Sequence, residues 1–178
     1  ERKWIEIHGI EHWTHFYTDY GVRLQKRFFD YFLKGLDNGW ADQPAVQLQV
    51  RGIDGFTERM EGEWPIARTR WTRFHLNPAD LSLGPAPAAA EGRVEFDALG
   101  DGVTFTSAPL DAETEITGPS AARLFVSSST ADADLFLVLR VFGPDGEEVV
   151  FQGAIDPHTP ISQGWLRASH RKLDPGLS

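Results

Sequence analysis

The chain has 178 residues, 41% of them hydrophobic, and a formal charge of −9. That is enough apolar material for one domain, or for one domain plus a piece of another. An acidic balance of this size argues against the basic face that nucleic acid requires, and no apolar run approaches the ~20 residues that span a bilayer. The absence of cysteine removes disulfides, thiolate nucleophiles and thiolate metal sites together, and it suits a reducing cytoplasm.

The first predicted element runs from Lys3 to Ile7, where a short β-branched and aromatic pattern makes a strand that ends at His8-Gly9. After a polar and aromatic linker, "VRLQKRFFDYFLKG" sets Leu24, Phe28, Tyr31 and Phe32 at helical spacing, with Gly35 as the stop. Past "LDNGWADQP" the pattern turns to all-β. "AVQLQVRG" alternates, and "RTRWTRFHL" predicts one buried face made of Trp71, Phe74 and Leu76. The stretch "NPADLSLGPAPAAAEG" reads as a surface excursion. Short strands are expected at 94–96, 103–106, 114–117 and 121–127, then a hairpin from "DLFLVLRVF" through "GPDG" to "EEVVFQGAI", and a last strand near Trp165 to His170. Many short strands with turns between them predict a mainly β chain of the jelly-roll sandwich type, without internal repeats.

Neither end reads as a natural terminus. Glu1 follows no initiator, the sole methionine is Met60, and "SHRKLDPGLS" closes on a Pro-Gly turn signal that ordinarily leads into another element. A piece of a longer protein is expected.

Three of the six histidines, His8, His12 and His15, fall in "IHGIEHWTHFY". On a helix they would share a face and could hold a metal, but Gly9, Trp13 and Thr14 are mediocre helix formers. Polar loop histidines beside packed aromatics are a second reading. A general base at the C-terminal tip of a strand, where open α/β sheets place their active sites, is a third. No serine sits in Gly-x-Ser-x-Gly, and the cluster in "FVSSSTADAD" reads as a strand end entering a turn. No phosphate loop or dinucleotide fingerprint is present, and no cofactor is expected. Asp132 and Asp134 lack the glycine and terminal glutamate of a calcium loop and read as a solvated turn. Trp4, Trp40, Trp64, Trp71 and Trp165 adjoin strand or turn signals, which favours packing over stacking on sugars.

The ordered series "QKRFFDYFLKGLDNGW", "VQLQVRG", "EWPIARTRWTRFHL", "TEITGPSAARLFVSSSTADADLFLVL", "GPDG" and "SHRKLDP" resembles the C-terminal region of the CocE/NonD hydrolases. That group includes cocaine esterase, α-amino-acid ester hydrolases and X-prolyl dipeptidyl aminopeptidases. The resemblance implies the last strand, base-bearing loop and helix of an α/β-hydrolase domain at residues 1–40, then a jelly-roll, galactose-binding-like sandwich at 41–178. It also implies a Ser-Asp-His triad whose nucleophile and acid lie upstream of Glu1. Its histidine follows the last main strand, so His8 is the candidate base. The family sets that histidine in Gly-Pro-Trp-x-His, whereas this chain reads "EIHGIEHW", which leaves His12 as the alternative base and His15 as a further one. The implied partners are the hydrolase domain and a small acyl ester or peptide substrate. The other functional class is a sandwich that binds sugar or protein by itself.

Overall fold

The computed structural model describes residues 2–171. The Pro-Gly turn expected near the end of the sequence lies outside the described residues. Two compact units are present, one formed by Glu1–Ile66 with Pro119–Ser178 and the other by Ala67–Gly118.

The first unit begins with a βαβ arrangement. Strand β1 (Ile5–Ile7) pairs parallel to β2 (Val46–Arg51), with Ile5 opposite Val46 and Ile7 opposite Leu48. Parallel neighbours need a long crossover, and a helix supplies it. That helix, α2 (Asp19–Lys34), starts at Thr18, whose hydroxyl accepts from the Gly21 N–H. It stops where Gly35 takes a left-handed conformation at φ 66°, as expected of a glycine stop. Strand β3 (Phe56–Glu61) lies antiparallel on the far side of β2. The buried core of this sheet is Val46, Leu48 and Ile66, with Ala45, Val50 and Trp64 packed on it. At the other end of β1, Trp4 makes edge contacts with Trp40 and Phe32, and Phe28 meets Trp40 at 5.2 Å.

In the rest of that unit, β6 (Asp134–Leu139) pairs antiparallel with β9 (Ser162–Arg167), and β7 (Val150–Phe151) with β8 (Thr159–Pro160). The "GPDG" hairpin does close, through Val149 N–H to Val141 O and a Phe142–Glu148 bridge. Its arms then part, because β6 takes β9 as its ladder partner. Local turn chemistry sets the reversal, whereas the long ladder goes to whichever strand offers a matching edge. The last strand ends at Arg167, and residues Ala168–His170 form a 3-10 turn.

The second unit holds β4 (His75–Asn77) and β5 (Ser82–Gly84), paired antiparallel, with Thr106 bridging to Ser82. Three expectations are corrected across the two units. "DLSLG" is partly a strand rather than part of a surface excursion. Among the described residues, 94–96, 114–117 and 121–127 form no ladder, and of 103–106 only Thr106 makes a bridge. Trp71, Phe74 and Leu76 are 69%, 47% and 39% exposed, so they do not form a buried face. Alternation assigns residues to a common face but does not supply the second layer that would cover it. The described chain is mainly β with few helices, and no described helix is long and apolar enough to cross a membrane.

Candidate active site

The βαβ unit determines where the histidines go. β1 ends at Ile7, so His8 is the first residue beyond the C-terminal edge of the strand. Gly9 follows, buried, with its N–H donated to Gln49 Oε1 of β2 at 3.1 Å, which ties the loop to the neighbouring strand. His12 lies in an exposed turn with its ring edge-on to Trp13 at 4.7 Å. His15 sits in the short helix α1 (Thr14–Tyr17). Thr18 holds that helix against α2, because its hydroxyl donates to His15 O at 2.8 Å while accepting from Gly21 N–H. Gly21 allows the join: a β-carbon there would run into the His15 and Phe16 carbonyl oxygens.

This elbow brings His15 back onto β1. Its ring stacks on that of His8, with centroids 4.1 Å apart and 23° between planes. Its Nε2 lies 2.7 Å from Glu6 Oε1. Tyr20 donates its hydroxyl to Glu6 Oε2 at 3.2 Å and accepts from Gln47 Nε2 at 2.8 Å. Thus β1, α1, α2 and β2 each contribute to one polar cluster. His8 Nδ1 is buried and has no hydrogen-bond partner among the described residues. Burial holds the His8 imidazole below its ordinary value, and His15 adds to this, while Glu6 and the Ile10 backbone oppose it. Burial also pushes the Tyr20 phenol up, with Glu6 acting in the same direction.

Sequence reasoning singled out all three histidines, and the structure brings His8 and His15 together while leaving His12 aside. Their common helical face does not form, since His8 lies in a strand-to-loop junction. Glu6, Tyr20 and Gln47 were missed. The available signal was a carboxylate between two isoleucines in "WIEIH", since a charge in a short apolar strand needs a partner. An open cavity of roughly 350 Å³ lies at the other end of β1, lined by Arg2, Trp4, Gln43 and Ala45, away from the histidines.

The other candidates are structural. Ser128 and Thr130 hydrogen-bond each other in a turn, and Asp132 accepts from the N–H and hydroxyl of Ser169. Asp134 makes a two-point ion pair with Arg167, its register partner across β6 and β9. Among the described residues no group of three or more histidine or acidic side chains could hold a metal. Trp40 is 4% exposed, and Trp4 and Trp64 are half-buried and packed, whereas Trp71 and Trp165 are exposed, contrary to the packing expectation.

Residues 38–176 match the family model of the X-Pro dipeptidyl-peptidase C-terminal non-catalytic domain. The chain belongs to this family. The CocE/NonD resemblance is upheld as well. A Mycobacterium tuberculosis protein whose name places it among the serine esterases is 29% identical over 186 residues, covering 84% of this chain and 27% of that protein. Cocaine esterase of a Rhodococcus species is 30% identical over 165 residues, covering 71% of this chain and 28% of the enzyme. The crystal structure of a CocE/NonD family hydrolase from Staphylococcus aureus is 25% identical and superposes with a TM-score of 0.77, covering all of this chain and 33% of the other. The chain therefore spans about a quarter to a third of its relatives' length. His8, His12 and His15 all precede the segment that the non-catalytic family model matches.

Proposed function

We propose that this chain is the C-terminal part of a serine hydrolase that cleaves acyl esters or X-prolyl peptide bonds by Ser-Asp-His acyl transfer, with His8 as the base. In this reading residues 1–40 complete an α/β-hydrolase domain and 41–178 form a jelly-roll, galactose-binding-like domain that helps wall its pocket. The serine and the acid come from the preceding hydrolase domain, and the lack of cysteine suits a cytoplasmic setting.

The observation that carries the assignment is the position of His8: it is the first residue beyond the C-terminal edge of a parallel strand, with a buried Nδ1. A triad histidine needs an acid on Nδ1 so that Nε2 can face the serine. His8 Nε2 would take the serine proton as the hydroxyl attacks the carbonyl carbon, then return it to the leaving alkoxide or amine. An imidazole held below its ordinary value is neutral near pH 7, as a base must be. His15 is less suited, since its carboxylate partner occupies Nε2, the nitrogen that would have to meet the nucleophile. His12 lies in an exposed turn, and among the described residues its ring contact is with Trp13.

The test is turnover of the full-length parent on one ester and one X-prolyl amide, with His8→Ala and His12→Ala each checked for folding. Loss of the base lowers turnover by about 10³-fold or more, and loss of His12 costs far less. A dead His12→Ala beside an active, folded His8→Ala moves the base to His12.

A second reading, a non-catalytic sandwich that binds carbohydrate or protein, draws support from Phe136 and Trp165. They face each other across β6 and β9 and are 75% and 74% exposed. It would be favoured if Trp165→Ala abolished a glycan or protein interaction while the parent showed no hydrolysis.

A further inference from the structure

Resting on the assignment of His8 as base, we propose that His15 and Glu6 form a positioning pair that clamps the His8 imidazole in its working plane. A triad histidine has two rotatable bonds, and the serine and acid grip it only along its edges. Something must hold its face. Here that face is covered by His15, stacked at 4.1 Å. His15 is itself immobilised from three sides. Its ring Nε2 is bound to Glu6 Oε1 at 2.7 Å, its backbone carbonyl accepts from the Thr18 hydroxyl, and the close approach of Gly21 sets the helix elbow. Glu6 is fixed in turn, because its other oxygen accepts from Tyr20, whose hydroxyl is held by Gln47. The chain of contacts thus runs from β2 through α2 to β1 and back to the ring of His8.

Glu6 occupies the centre of the strand, two residues before His8. A half-buried carboxylate there is costly unless it does something specific, and its two oxygens are used by His15 and Tyr20. The pair also acts on His8 electrostatically in opposite senses, His15 lowering its basicity and Glu6 raising it. The groups surrounding this pair are His8 at the end of β1, Tyr20 on α2, Gln47 on β2, and Glu58 on β3, whose field reaches Tyr20. Neither His15 nor Glu6 takes or gives the substrate proton. Their role is to fix and tune the residue that does.

The experiment compares wild type, His8→Ala, His15→Ala, His15→Phe and Glu6→Gln in the full-length parent, with kcat, KM and the pH dependence of kcat/KM on one ester. His15→Ala is expected to lower kcat by about 10- to 100-fold with KM little changed, the range that misplacing a reacting group commonly costs. His15→Phe keeps an aromatic face against His8 and should recover most of kcat. The acid limb of the profile should move to higher pH in His15→Ala, which loses both the cover and the opposing imidazole, and to lower pH in Glu6→Gln. A merely structural role would change melting temperature or active fraction without moving that limb. The inference is overturned if His8→Ala is inactive while the His15 and Glu6 variants keep the wild-type limb and kcat per folded molecule. A folded His8→Ala that retains turnover overturns the assignment of the base, and this inference with it.

Discussion

The imidazole rings of His8 and His15 lie face to face, 4.1 Å between centroids, although one follows a strand and the other lies in a helix. Burial disfavours the charged imidazole at His8, and the neighbouring His15 adds to that. Folding therefore holds His8 below its ordinary value of 6.5, so the unfolded chain binds that proton more readily. The contribution of His8 to stability is fully present above the unfolded value and is lost as pH falls through the lower folded value. The denaturant midpoint of the 178-residue chain should drop as pH falls through 6.5 and below, and His8→Gln should flatten that part of the slope. An identical slope in His8→Gln would assign the effect to other groups.

The 178-residue chain by itself should show no turnover of activated esters above buffer. It contains no serine elbow, and histidine without one supplies only weak general-base or nucleophilic catalysis. Stoichiometric inhibition of a genuine activity by a serine-directed phosphonate would reveal a nucleophile in this chain and refute the expectation.

Zinc should not bind tightly at the histidine cluster. Stacked rings direct their nitrogen lone pairs side by side rather than toward a common point, and His15 Nε2 already faces Glu6. Calorimetry showing one-to-one binding of sub-micromolar affinity would restore a metal site.

Two substitutions separate backbone strain from packing. Gly35 ends α2 at φ 66° with open space where a β-carbon would project, so Gly35→Ala should cost about 1–2 kcal/mol through conformation alone. Leu48 is 3% exposed in the core of the first sheet, and Leu48→Ala should cost about 2–5 kcal/mol by leaving a cavity. Chemical denaturation of the parent measures both, and a smaller loss at Leu48 than at Gly35 would mean that the sheet closes over the missing side chain.

The sequence alone was sufficient for elements whose signal is local. The helical spacing of Leu24, Phe28 and Tyr31, the Gly35 stop, the alternation of "VQLQVR" and the strand ending at Ile7 all depend on neighbours a few positions away, and each forms. The same local signals located the three histidines and the family resemblance. Pairing and coverage are not local. Residues 121–127 have strand-like composition yet form no ladder, and Trp71, Phe74 and Trp165 adjoin strand signals yet stay exposed. A strand exists only with a partner edge, and a buried face only with a second layer, which no single segment specifies. The candidate site divides in the same way. Residue type and strand end were enough to nominate His8, but the Glu6–His15 contact depends on an elbow at Thr18 and Gly21 that folds α1 back over β1. Tertiary structure alone brings His8 and His15 together and leaves His12 aside, because hydrogen bonding and stacking act over a few ångströms of space whatever the distance along the chain.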